Sequence, residues 1–240
     1  MRPQFEQIIR RLQWIRGRMQ EYIEDKGGSV EGYDDTFLGY VNAICSIPDL
    51  SHIRNGCETF MENTYLDRIP ETVADASQYF TSMYKFAKGC TALKFVPRLY
   101  TDNVTTFVYA FYGCTALEEI DGLITSAATT LGEAFHNCSS LVAINEPLDV
   151  SHITSQLDTT FTGCANLEYL RFSGSLCADI WLSGAPKLSV ASLLSVIDSL
   201  ADLNQLAQPT TKKITFGARN KAKLSTAQLA LVTDKGWTVV

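Results

Sequence analysis

The residues of this chain most able to do chemistry are its seven cysteines and three histidines. A thiolate beside an imidazole is the pairing of cysteine nucleophiles, and Cys with His at short spacing is also a zinc ligand set. His136 stands two residues before Cys138 and is the nearest such pair. The cysteines, however, keep time: Cys90, Cys114, Cys138 and Cys164 follow at intervals of 24, 24 and 26 residues, with Cys45, Cys57 and Cys177 outside the series. One cysteine per regular interval marks a packing position, and no C-x-x-C pair occurs. The expectation is seven free thiols, buried as small apolar groups, with no metal, no cofactor and no catalytic residue. His52 and His152 share a slot, in Asp49-Leu50-Ser51-His52-Ile53 and Asp149-Val150-Ser151-His152-Ile153, which predicts a turn role. No phosphate-binding glycine loop, G-x-S-x-G elbow or H-E-x-x-H helix is present, so no enzyme is expected.

What positions the cysteines is a repeated phrase. Ala-Phe-Tyr-Gly-Cys-Thr-Ala-Leu at 110 to 117 returns as Ala-Phe-His-Asn-Cys-Ser-Ser-Leu at 134 to 141 and Thr-Phe-Thr-Gly-Cys-Ala-Asn-Leu at 160 to 167. A looser copy, Phe-Ala-Lys-Gly-Cys-Thr-Ala-Leu, occupies 86 to 93. Aligned on the cysteine, one unit reads Val104, Phe107, Phe111, Cys114, Leu117 and Ile120 as its core, and in the 86 to 93 copy Ala87 stands at the aromatic position with Phe86 one place early. A segment of this length cannot bury a face alone, so each unit is expected to stack on its neighbours and to pair a short Leu-x-x-Ile strand with the next. Degenerate copies with Asn63 and Ala185 in the cysteine column bracket the series.

The flanks differ. Phe5, Ile8, Leu12, Ile15, Met19 and Tyr22 fall at heptad spacing in a helix predicted over 4–25, and either dock on their own domain or form an oligomer seam. A second helix carrying Phe37, Tyr40, Val41, Ile44 and Ile47 completes a hairpin over 1–48. The repeat takes 49–188, and 189–240 is predicted as a closing cap that prolongs the sheet: a helix from Ser189 to Leu203, a strand over 212–217, a helix from Thr226 to Thr233 and a last strand from Gly236.

The formal net charge of -6 gives no electrostatic reason to expect nucleic acid or an anionic membrane. No apolar run is long enough for a membrane span and Met1 to Glu6 lacks a signal-peptide core, so the expectation is a protein made in the cytoplasm that either stays there or leaves it by assembly or lysis. After the repeat Leu, successive units show Asp67, Lys94, Glu118, Val142 and Glu168, which places Lys94 between two acids. The next column, Arg68, Phe95, Glu119, Ala143 and Tyr169, carries aromatics that either face outward or tuck under loops. Phe95, Tyr109, Tyr112, Tyr169, Arg171 and Phe172 form the candidate interaction surface for protein or glycan.

The stretch from Tyr100 to Leu117, Tyr-Thr-Asp-Asn-Val-Thr-Thr-Phe-Val-Tyr-Ala-Phe-Tyr-Gly-Cys-Thr-Ala-Leu, resembles the BspA-like leucine-rich repeats of bacterial surface proteins and phage-encoded proteins. The C-terminal part, with the helical N-terminus and its Phe37-x-x-Tyr40-x-x-x-Ile44-x-x-Ile47, is similar to tail-associated proteins of gut bacteriophages and prophages. These resemblances imply an α/β leucine-rich-repeat solenoid of about five to six rungs, with an N-terminal helical hairpin and a C-terminal α/β cap. They also imply a non-enzymatic, tail-associated virion protein that docks on other virion proteins or on a host surface protein or glycan. The alternative is an adhesion module of the bacterial cell surface.

Overall fold

The computed structural model describes residues 59–240, apart from Pro70, residues 155–156 and Pro209. The helical hairpin over 1–48, the heptad residues Phe5, Ile8, Leu12, Ile15, Met19 and Tyr22, and Cys45, His52 and Cys57 lie outside the described residues.

The inner positions of the repeat phrase are the core. Val104, Phe107, Phe111, Cys114, Leu117 and Ile120 are fully buried, as are Phe135, Cys138, Leu141, Phe161, Cys164 and Leu167 in the following units. The aromatic rings meet from unit to unit, Phe86 edge to face with Phe111 at 6.1 Å between centroids, then Phe111 stacked on Phe135 at 6.0 Å and Phe135 on Phe161 at 5.8 Å. Phe86, one residue early in sequence, still fills the ring column while Ala87 is buried beside it.

Strands are minimal. β1 (Phe95–Val96), β2 (Glu119–Ile120) and β3 (Ala143–Ile144) pair in parallel, Phe95 opposite Glu119 opposite Ala143. β4 (Leu148–Asp149) pairs with β5 (Phe172–Ser173), again in parallel. β6 (Ile180–Trp181), β7 (Lys213–Thr215) and β8 (Thr238–Val239) make a third parallel sheet. The only helices before residue 190 among the described residues are α1 (Glu71–Ala76) and a 3-10 turn (Ser77–Tyr79).

This corrects the expected α/β leucine-rich-repeat solenoid of five to six rungs. A few short helices and three separate parallel sheets, of three, two and three strands, replace a continuous repeat sheet. The physical reason lies in the turns. Two columns of the turns take the left-handed backbone: Lys85, Tyr109 and Glu133, at φ 55°, 59° and 52°, and Glu62, Gly89, Gly113, Asn137 and Gly163, at φ 60°, 76°, 72°, 59° and 78°, so that the units of Cys90, Cys114 and Cys138 each carry two such residues. A chain that reverses twice within the phrase has no length left for a long strand or a helix of its own.

The turns are nevertheless bonded as regularly as a sheet. The N–H groups of Phe107, Tyr109, Phe111 and Gly113 donate to the carbonyls of Thr130, Gly132, Ala134 and His136 of the next unit at 2.8–3.2 Å. The intervening N–H groups of Ala110 and Tyr112 close turns onto Phe107 and Tyr109 within their own unit. Alternate donors thus bond across and within units, and the backbone is satisfied without extended strands.

The closing segment contains α2 (Val190–Ser199), α3 (Gly217–Lys221) and α4 (Thr226–Asp234) with β7 and β8. Ser189 caps α2 by accepting from the Ser192 N–H. The helix docks through serines: Ser192 Oγ accepts from the Leu170 N–H, and Ser195 Oγ from that of Phe172. The Lys235 ammonium donates to the carbonyls of Ile197, Asp198 and Leu200 at 2.9 Å, satisfying the C-terminal end of α2. The predicted cap elements are present within a few residues, but their sheet does not prolong β1–β3. It continues from the bridge between Leu157 and Ile180, on the side of the turns, because α2 takes the place of the next strand beside Tyr169.

Candidate functional site

The cysteines come first, since their chemistry was the sharpest possibility. Cys90, Cys114, Cys138 and Cys164 are free and buried, and Cys177 is free and half-buried. Each column thiol donates to a carbonyl of the preceding unit: Cys90 to Phe60, Cys114 to Ala87, Cys138 to Phe111 and Cys164 to Phe135, at 3.0–3.1 Å. Burial pushes the Cys90 and Cys164 thiols up to about 12 and raises Cys114 and Cys138 well above the ordinary thiol range. A protonated, enclosed thiol is neither nucleophile nor metal ligand. The column is therefore a hydrogen-bonded spine, and in the first unit Asn63 holds the equivalent turn by accepting from the N–H groups of Tyr65 and Leu66. Among the described residues no group of three or more His, Cys, Asp and Glu could hold a metal ion, and no helix is long and apolar enough to cross a membrane.

The six residues of the sequence-predicted surface separate into three environments. Phe95 and Tyr169 belong to the outward row in which Arg68, Phe95, Glu119, Ala143 and Tyr169 are in register across five units. The Arg68 guanidinium lies 5.5 Å from the Phe95 ring centroid, and Tyr169 is 58% exposed. Beside this row Arg171 is exposed and donates to the Asn145 carbonyl, while the Asn145 amide donates to Glu119. Arg98 pairs with Glu146 across the middle unit, where Gly122 leaves space: a Cβ there would stand 3.3 Å from Arg98 Cγ and 3.2 Å from Glu146 Cδ. Lys94 forms no ion pair with Asp67 or Glu118; its contribution to the row is its backbone, which links the two units.

Phe172 is a correction. It is only 7% exposed, with its ring 6.3 Å from that of Phe161, because strand alternation turns Arg171 outward and Phe172 inward. That alternation was readable in the sequence.

Tyr109 and Tyr112 sit elsewhere, among the turns. They pack edge to face at 5.7 Å, with Tyr84 6.2 Å from Tyr109 and His136 stacked on Tyr112 at 4.9 Å. The Lys88 ammonium lies 5.2 Å and 5.3 Å from the Tyr109 and Tyr112 centroids, and Lys85 lies over Tyr84 at 4.8 Å. The negative charge of the Glu133 carboxylate pushes the Tyr109 phenol's pKa up, and the same carboxylate stands 3.4 Å from the buried Nδ1 of His136. Tyr84, Lys85, Lys88, Glu133 and His136 are additions to the sequence reading. Their signal was present, since Lys85, Tyr109 and Glu133, and likewise Lys88, Tyr112 and His136, recur every 24 residues. His152 is exposed in a turn.

Compared with known proteins, the chain matches no family model, no curated protein and no solved structure at a significant level.

Proposed function

We propose that this chain is a non-enzymatic, tail-associated component of a phage or prophage virion that docks through the outward row of its units. The observation that carries the reading is the row itself. Arg68, Phe95, Glu119, Ala143 and Tyr169 lie in register, and the largest of them, Tyr169, stands open to solvent. Rigidly spaced aromatic and arginine side chains on one face are what a protein interface uses as anchors. The resemblance of residues 100–117 to BspA-like repeats, and of the two ends to phage tail-associated proteins, supplies the setting. The partners are other virion proteins or a host surface protein or glycan. Nucleic acid is not proposed, given the net charge of -6.

Mass spectrometry of purified virions tests the assignment: the protein is expected in the particle, and its absence refutes the reading. The exposed Tyr169 equally favours a bacterial cell-surface adhesion module. The genomic sequence upstream of Met1 separates the two, because an in-frame signal peptide supports only the second.

A further inference from the structure

Two columns of left-handed backbone run through the turns, and they are filled differently. The column next to the cysteines uses Gly89, Gly113 and Gly163, with Asn137 and Glu62, mostly the residues that adopt positive φ at least strain. The other column holds Lys85, Tyr109 and Glu133, for which the same backbone is unfavourable, most of all for the bulky tyrosine. All three side chains converge on one cluster: Lys85 on the Tyr84 ring, Tyr109 between Tyr84 and Tyr112, and Glu133 between Tyr109 and His136. Strained backbone retained where glycine would fit points to a use for the side chains.

We propose that Tyr84, Lys88, Tyr109, Tyr112, Glu133 and His136 form a binding site for a neutral, hydroxyl-rich saccharide. The charges select the ligand class. An anionic ligand that approaches Lys88 meets the Glu133 carboxylate, and a cationic one competes with Lys88 for the Tyr109 and Tyr112 rings. A saccharide carries donors and acceptors on every carbon and a C–H face for a ring. It can accept from the Lys88 ammonium and donate to the Glu133 carboxylate. The half-buried tyrosines supply rigid contact area at small loss of side-chain freedom. This inference rests on the recognition role proposed above only in treating the chain as a binder, and it places the ligand at the turns, apart from the outward row.

The test is a printed array of neutral, sialylated and sulfated oligosaccharides probed with the full chain and with Tyr109→Gly and, as a control outside both the turn cluster and the outward row, Tyr65→Ala, whose ring is exposed. Tyr109→Gly removes the ring and relaxes the left-handed backbone, so its urea unfolding midpoint is expected at or above that of the parent chain. The parent and Tyr65→Ala are expected to bind neutral saccharides, with a loss of about ten-fold or more in Tyr109→Gly. The proposal is overturned if the parent binds no neutral saccharide, if only sialylated or sulfated spots are bound, if Tyr109→Gly binds as the parent does, or if its midpoint falls. None of these outcomes touches virion association, which the mass spectrometry decides separately.

Discussion

The hydrogen-bonded thiol spine makes a quantitative prediction about alkaline stability. Cys90, Cys114, Cys138 and Cys164 are all held above the ordinary thiol value of 9.0 by burial. A group whose pKa is higher in the folded than in the unfolded chain contributes fully below the unfolded value, and its contribution is lost as pH rises toward the folded one. The window here opens near 9 and extends to about 12 for Cys90 and Cys164. At about pH 10 an unfolded thiol is roughly nine-tenths ionised while the buried one keeps its proton, a loss of about 1.4 kcal/mol for each thiol. At this pH the result is nearly independent of the folded value for a thiol that burial has lifted well past it. Four such thiols give about 6 kcal/mol, comparable with the whole stability of a typical domain, about 5–15 kcal/mol.

Cys138→Ala isolates one of them. It removes the thiol donor to Phe111 and leaves a small void, so it should be less stable than the parent by about 1–2 kcal/mol near neutrality. Because it also removes one titrating group, that deficit should shrink by about 1.4 kcal/mol and nearly vanish by about pH 10. Urea unfolding followed by circular dichroism in reducing buffer, from neutral to alkaline pH, measures both curves, and tyrosine and lysine titrations common to the two proteins cancel. A deficit that stays constant with pH, or thiolate absorbance appearing in the folded protein at the ordinary thiol pKa, would refute the enclosed spine.

Other outcomes follow from the same packing. Phe135→Ala removes the ring between Phe111 and Phe161 and is expected to lower stability by about 3–5 kcal/mol in urea unfolding; a change below about 1 kcal/mol would contradict the stacked column. Lys235→Met keeps the aliphatic stem but strips three carbonyls at the end of α2 of their donor, and about 1–3 kcal/mol should be lost. Gly122→Ala should separate Arg98 from Glu146, yet change stability by no more than about 1 kcal/mol because the pair is exposed; a double-mutant cycle reads the coupling. Under native conditions Cys177 should react with a thiol reagent ahead of the four column cysteines; labelling of Cys114 at an equal rate would show the core to be open.

Much of the packing was legible in the residues. Periodicity alone placed Phe111, Cys114, Leu117 and Ile120 inside, since a residue type recurring every 24 positions reports a repeated environment. The pairing of Glu119–Ile120 with its neighbours followed from the same alignment. The extent of the sheets did not. Left-handed backbone at Lys85, Tyr109 and Glu133 carries no glycine signal, so the double reversal that shortens each strand was hidden, and with it the split into three sheets. The hydrogen-bonding role of the cysteines was equally silent, because burial and donation select the same small residue. Phe172 was misplaced by grouping it with Arg171 when adjacent strand residues face opposite ways. Tyr109 and Tyr112 were found, but their partners needed the column at 24-residue spacing to be read across units as well as along one.

The two ladders between units differ in sense. In the turns, the N–H groups of Phe107, Tyr109, Phe111 and Gly113 all point toward the following unit, whereas in the strand row those of Glu118, Val142 and Glu168 point back to Lys94, Glu118 and Val142 while that of Ile144 points on to Tyr169. Peptide dipoles aligned along one axis add up in a helix and leave partial charges at its ends. The row of turns therefore carries a directional dipole from unit to unit, which the strand row, with donors facing both ways, carries only weakly.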